Sequence, residues 1–198
     1  MLEDIQRIAA YYDRLVERYG YDPRGVDASS QASLDVRYRA LSEVVDLSNR
    51  TVLEVGCGFG DLGAFICNRY AGVKYTGIDI SPRVLERAKQ IHPNLRFERI
   101  SLQEFDDTQR FDVVVAQGIF YLLGDAAEEK AVALIKKMFA LATVAVAFST
   151  ISAWSDRRDG GEYYADPANV LQQCSLLTRN VVLRHDYHPG DFCIYLYR

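Results

Sequence analysis

The chain has 198 residues, 49% of them hydrophobic and 25% charged, with a formal net charge of −4. These are ordinary values for one globular domain with a sizeable core. No run of about 20 apolar residues is present to span a membrane, and an acidic balance argues against nucleic acid as a partner, because neutralising phosphates dominates such binding. The densest basic stretches, Arg83, Arg87 and Lys89 and then Lys136 and Lys137, fall on predicted helices as solvated faces. The opening residues, Leu2-Glu3-Asp4, do not read as a signal peptide. Cys57, Cys67, Cys174 and Cys193 show no CxxC spacing and no histidine cluster. They are expected to be reduced thiols of a cytoplasmic protein, with neither a disulfide framework nor a metal site. A monomer or homodimer is expected.

Leu2, Ile5, Ala9, Tyr12, Val16 and Tyr19 recur at three- and four-residue intervals, which predicts an amphipathic helix over 2–19. Gly20 to Gly25 breaks it, and a second helix is predicted from Leu34 to Leu47. Strands are predicted at 51–55, 74–79, 95–100, 111–116 and 142–149, with helices near 61–71, 82–91 and 126–140 between them. Ser81-Pro82 is an N-cap followed by proline at the first helical position. Such alternation predicts a doubly wound, Rossmann-like α/β fold with a mostly parallel sheet. Val181–His185 and Phe192–Tyr197 read as two further strands, making seven, and the short Pro-Gly link between them forces an antiparallel pair. The stretch 151–166 reads as a long loop, the kind of segment that builds a substrate pocket.

The chemistry concentrates where the first strand ends. Glu54-Val55-Gly56-Cys57-Gly58-Phe59-Gly60 joins a strand to a helix through a glycine turn, and Asp79 ends the next strand. The glycines let the backbone approach a ligand, and Asp79 is placed to accept from ribose hydroxyls. Gly58, Gly60 and Gly63 also fit the dinucleotide fingerprint, with Asp79 at about the ~20-residue offset which that fingerprint requires. Glu54 does not fit it, because a carboxylate before the turn would repel a pyrophosphate. It suits a cofactor with a positive charge and an amino group, as S-adenosylmethionine has.

On these residues the chain resembles the class I S-adenosylmethionine-dependent methyltransferases. Glu54-x-Gly56-x-Gly58-x-Gly60 is similar to their first motif, Asp79 to the acid of their second, and Phe111 to Ala116 to the strand of their fourth. Tyr11-Tyr12-Asp13, Arg18-Tyr19-Gly20 and His185-Asp186-Tyr187 further resemble a group of small bacterial methyltransferase-domain proteins. The resemblance implies a helical lid over residues 1–48, a core over 49–198 and a reversed strand at the sheet's final edge. It implies S-adenosyl-L-methionine as cofactor, with S-adenosyl-L-homocysteine as product. Gly56, Cys57, Gly58 and Gly60 would pass beneath it, Glu54 would orient its amino group and Asp79 would hold the ribose. Ile80, Ser101 and Leu102 would meet the adenine, with Ser101 standing where the family often has an acid. Ala116, Gln117 and Gly118 would lie near the transferable methyl group, with Phe120 and Tyr121 just beyond.

A catalytic base is harder to read. Tyr12 and Tyr19 on the first helix, and His185 paired with Asp186, are the candidates; His92, in a loop before a proline, is incidental. Methyl transfer to a small molecule is the first reading. The same fold with a non-methylating role, as an elimination or cyclisation enzyme or a partner's binding subunit, is the second. A nicotinamide-dependent oxidoreductase, disfavoured by Glu54 and the tail, is the third.

Overall fold

A computed structural model describes residues 2–198, with the side chain of Leu2 outside the described part. Its first helix, α1 (Leu2–Tyr19), carries Glu3 and Asp4 in its first turn and Arg18 in its last, which complements the helix dipole. Gly20 closes α1 by returning its N–H to Val16 O at 2.8 Å. A single 3-10 turn (Pro23–Val26) follows, capped by Asp22, and leaves Asp27 in the left-handed region at φ 59°.

Helix α2 spans Gln31–Ser42, three residues earlier at its start than the apolar spacing predicts and five shorter at its end. Ser30 starts it by accepting from Ser33 N at 3.2 Å. Distant tyrosines end it: Tyr70 donates to Ser42 O at 2.8 Å and Tyr197 to Val44 O at 3.0 Å, so these carbonyls need no further helical turn. Val44 and Leu47 remain buried beyond the helix.

The rest winds as expected: β1 (Thr51–Val55), α3 (Asp61–Arg69), β2 (Lys74–Asp79), α4 (Pro82–Ile91), β3 (Arg96–Arg99), β4 (Phe111–Gln117), α5 (Ala127–Leu141) and β5 (Ala142–Ile151). One further helix, α6 (Pro167–Ser175), was not anticipated; Asp166 caps it by accepting from Ala168 N at 2.8 Å and Asn169 N at 3.1 Å. The chain ends in β6 (Val181–Arg184) and β7 (Asp191–Tyr197).

Among the described residues the sheet has seven strands in the order β3-β2-β1-β4-β5-β7-β6. The first five are parallel, and β7 is antiparallel to both β5 and β6. The expected antiparallel last strand is present, but it is not the edge strand. β7 lies inside the sheet and the short β6 forms the edge. The reason is burial: β7 is apolar on both faces (Phe192, Ile194 and Leu196 on one, Cys193 and Tyr195 on the other), whereas β6 is only half-buried.

Each central strand alternates between two cores. Leu53, Val114, Val146 and Phe148 pack towards α5 and α6, while Val52, Val113, Ala145 and Ala147 pack towards α2, α3 and α4. Phe120 meets Phe148 edge-on at 5.3 Å within the first of these cores. Strand order reverses between β1 and β4, so a crevice opens at their carboxyl ends.

Helix α1 lies over that crevice, and one of its tethers is a carboxylate bonded to the start of α4. Asp13 accepts from Ser81 Oγ at 2.6 Å and from Arg83 N at 3.2 Å, joining α1 to the start of α4. Asp13→Ala removes what amounts to a helix cap, and we expect it to lower stability by ~1 kcal/mol. Hydrogen exchange should show the loss as faster opening of α1, with the amides of β1 and β4 unaffected. No described helix is long and apolar enough to cross a membrane.

Candidate active site

The turn after β1 is held against β2. Gly56 N and Cys57 N both donate to Ile78 O, at 2.8 and 3.0 Å. Gly56 has φ 67° and a Cβ there would overlap Ile119, while Gly58 has φ 54°, so side-chain-bearing residues would be strained at both. Cys57 is 4% exposed and burial pushes its thiol up, which makes it a packing residue and not a nucleophile.

Asp79 closes the turn from the other side. One of its oxygens accepts from Gly58 N at 3.0 Å and the other from Ser81 N at 2.9 Å. The carboxylate keeps acceptor capacity for a hydroxyl donor. Burial pushes this carboxyl up, opposed by the amide hydrogen bonds of Ser81, Gly58 and Ile80.

Glu54 lies deeper, 3% exposed, and accepts from Tyr75 OH at 2.5 Å. Burial raises its carboxyl to about 8; Tyr75 opposes the shift, and the charges of Asp61 and Asp79 add to it. A buried acid held by a phenol and the Gly63 amide, with no cation beside it among the described residues, is set up to receive one. Gly63 serves this pair, since a Cβ there would collide with the Tyr75 ring. The glycine that completes the apparent dinucleotide fingerprint is therefore explained by packing around Glu54.

Two adjoining cavities meet at Gly56, Asp79 and Gly118. The smaller, of about 110 Å³, is apolar, walled by Ile80, Ile100, Leu102 and Ile119 and roofed by Ile5 and Ile8 of α1. The larger, of about 490 Å³, runs from Glu54 and Asp79 past Gln117 and Tyr121 to Ser149 and Thr150, and ends against Leu34, Arg37 and Tyr38 of α2. Among the described residues no cluster of His, Cys, Asp and Glu is suited to a metal ion.

Of the cofactor residues expected from sequence, Glu54, Gly56, Cys57, Gly58, Asp79, Ile80, Leu102, Gln117 and Gly118 line these cavities. Gly60, Ser101 and Ala116 do not. Gly60 begins α3 against Phe97, and Ala116 is enclosed in the core. Ser101 is turned away: its hydroxyl donates to Glu104 Oε2 at 2.7 Å, and Gln103 reaches the apolar cavity instead. Phe120 packs into the core, leaving Tyr121 alone of that pair at the cleft.

The catalytic candidates separate. Tyr12 and Tyr19 line the larger cavity. His185 does not: its Nε2 pairs with Ser152 Oγ at 2.8 Å and its ring stacks with Trp154 and Phe192, at 5.4 and 6.2 Å. Nor does it pair with Asp186, whose carboxylate is held by Arg184 at 3.0 and 3.2 Å. His92 is bonded to Asp61 at 2.9 Å.

Sequence spacing gave no sign of a polar group beside Tyr12. Tyr121 donates to Asp27 Oδ2 at 2.9 Å, Tyr11 donates to the same oxygen at 2.7 Å, and the Tyr12 and Tyr121 hydroxyls are 2.6 Å apart. Burial pushes Tyr12 and Tyr121 up, keeping both phenols protonated. Arg37, bonded to Asp191, closes the far end.

Residues 53–143 match a family described as a methyltransferase domain, a span that holds the glycine turn, Asp79 and β4. Residues 53–143 thus form a methyltransferase domain of the S-adenosylmethionine-dependent kind. A Mycobacterium tuberculosis protein named as a methyltransferase is 29% identical over 155 residues, covering 73% of this chain and 90% of that one. Malonyl-[acyl-carrier protein] O-methyltransferase of Acetivibrio thermocellus is 29% identical over 90 residues, 43% of this chain but only 32% of that enzyme. Among solved structures, magnesium protoporphyrin IX methyltransferase from Synechocystis with bound S-adenosylmethionine superposes with a TM-score of 0.71 at 18% identity, over 98% of this chain and 97% of that one. An N-methyltransferase from Bradyrhizobium japonicum, in complex with S-adenosylhomocysteine, gives 0.70 at 19% identity over 96% and 97%. At such identities the superpositions show the fold. The methyltransferase's own residues fit S-adenosylmethionine as cofactor: a buried acid awaiting a cation, a second acid with acceptor capacity to spare, and an apolar slot beside it.

Proposed function

We propose that this enzyme methylates a small molecule. On this reading Glu54 binds the amino end of S-adenosylmethionine, Asp79 its ribose, and the Ile80–Leu102 slot its adenine, with α1 as a lid. The cofactor supplies the electrophilic methyl group. The chain's part is to orient the two reactants and keep water out of the cleft. The lid role expected of residues 1–48 belongs to α1 and the turn after it; α2 is a core helix with Leu34, Tyr38 and Leu41 buried against the sheet.

The observation that carries the small-molecule reading is the larger cavity itself, a pocket of about 490 Å³ walled by α1, the glycine turn, the strand ends and α2. A cavity of that volume suits a small ligand beside the cofactor. Among the described residues its lining includes seven carboxylates against the two guanidiniums of Arg24 and Arg37, which supports exclusion of a polyphosphate chain. Tyr12 and Tyr19 lie on the acceptor side of this cleft as positioning residues, and His185 has no part in the reading. Four free cysteines support a reducing, cytoplasmic setting, for a monomer or homodimer.

Incubation with S-adenosylmethionine and fractionated cell extract tests this. Release of S-adenosylhomocysteine is expected with the small-molecule fraction and not with the nucleic acid or protein fractions. Turnover confined to a macromolecular fraction would overturn the reading. Tight cofactor binding with no methyl transfer in any fraction would favour a non-methylating role.

A further inference from the structure

We propose that the acceptor half of the cleft is built for an amine, bound as its ammonium ion; this rests on the methyltransferase reading of the same site. Charge is the first argument. Once Glu54 and Asp79 are assigned to the cofactor, Asp27, Asp159 and Glu162 still line the cleft, and among the described residues none forms an ion pair. The two cleft guanidiniums are already neutralised, Arg24 by Asp22 at 2.7 Å and Arg37 by Asp191. The acceptor side therefore carries uncompensated negative charge.

Hydrogen-bond polarity is the second argument. Asp27, a carboxylate, only accepts, so the single proton of Tyr121 is committed to it at 2.9 Å. The 2.6 Å contact between Tyr121 and Tyr12 must then be donated by Tyr12. That leaves the Tyr12 oxygen, on the cleft wall, able only to accept. A ligand group that donates suits it; a carboxylate or phosphate does not.

The third argument is an orphan. Thr150 lines the same cleft, is 5% exposed, and among the described residues its Oγ1 has no hydrogen-bond partner. A buried hydroxyl left unpaired is costly, and a donor on the ligand would satisfy it. The rings of Tyr12 and Tyr121 complete a wall that attracts a cation, while Tyr19 is already taken by Arg18 and Arg24 at 5.1 and 4.8 Å.

Calorimetry on protein loaded with S-adenosylhomocysteine tests the proposal, using phenethylamine against phenylacetate and the neutral phenethyl alcohol. The amine should bind about tenfold more tightly than either of the others. A variant carrying Asp159→Asn and Glu162→Gln, both on the loop between β5 and α6 and outside the core, should bind the amine several-fold more weakly. Equal binding of the three probes, preference for phenylacetate, or no binding of the amine would overturn the proposal while leaving the cofactor site intact. Failure of S-adenosylhomocysteine itself to bind would instead overturn the reading on which the proposal rests.

Discussion

Asp79→Ala is expected to weaken S-adenosylhomocysteine binding by about a hundredfold or more, and to abolish methyl transfer with it. The carboxylate has two tasks in one place. It fixes the glycine turn through the amides of Gly58 and Ser81, and on the proposed reading it offers its remaining acceptor capacity to the ribose. Hydrogen bonds to a charged acceptor contribute ~1.5–3 kcal/mol each, so losing two of them alone accounts for the hundredfold. Relaxation of the turn adds to the loss. Asp79→Asn should be nearly as damaging, because its amide NH₂ would point at one of the two backbone N–H groups. Calorimetry with S-adenosylhomocysteine and with NAD measures the effect. Tight binding of NAD by the unaltered protein, or undiminished S-adenosylhomocysteine binding by the variant, would refute the assignment. A thermal melt of the variant guards against simple unfolding.

Much of this was legible because parallel strands buried on both faces read as apolar runs. Val52 to Val55 and Val113 to Ala116 announce themselves, and the glycines with Asp79 mark where the sheet opens. What stayed hidden depends on tertiary partners. The tail's two strands read correctly as antiparallel, but which one sits inside depends on β5 offering an edge to the more apolar β7. Helix α6 has a readable Asp-Pro start, but at nine residues it offers little periodicity. Ser101 sits where an acid was expected, and its bond to Glu104 could not be foreseen from spacing. Gly63 misled for a related reason, since its small size serves Tyr75, which is twelve residues away and on another strand. Asp27, Arg37 and Thr150 reach the cleft from a turn, a helix and a strand end that share no motif. Local pattern brought out the residues of the proposed cofactor half, and only packing assembled the rest of the cleft.

The second large effect concerns Glu54 and pH. In the free protein its carboxyl is raised to about 8 from an ordinary 4.5, chiefly by burial, so at pH 7 it is mostly protonated. An ammonium group arriving from the cofactor favours the ionised form, so binding should release a proton. Affinity for S-adenosylhomocysteine should therefore rise with pH by up to about tenfold per unit, levelling off above 8. Stability of the free protein runs the other way. A group whose folded-state pKa is raised contributes stability that is complete below about 4.5 and is lost as pH climbs to about 8. The loss cannot exceed ~1.4 kcal/mol for each pH unit in that window, and relaxation around the site should hold it to a few kcal/mol in all. Glu54→Gln keeps an acceptor for Tyr75 and removes the titration. It should flatten the fall in melting temperature between pH 5 and 8.5, leave the free protein more stable than the parent at the upper end, and weaken S-adenosylhomocysteine binding about 10–100-fold. Calorimetry in buffers of different ionisation enthalpy counts the released proton directly. If the parent releases none at pH 7, or if Glu54→Gln keeps the parent's pH dependence, the buried acid is not the group that receives the cation.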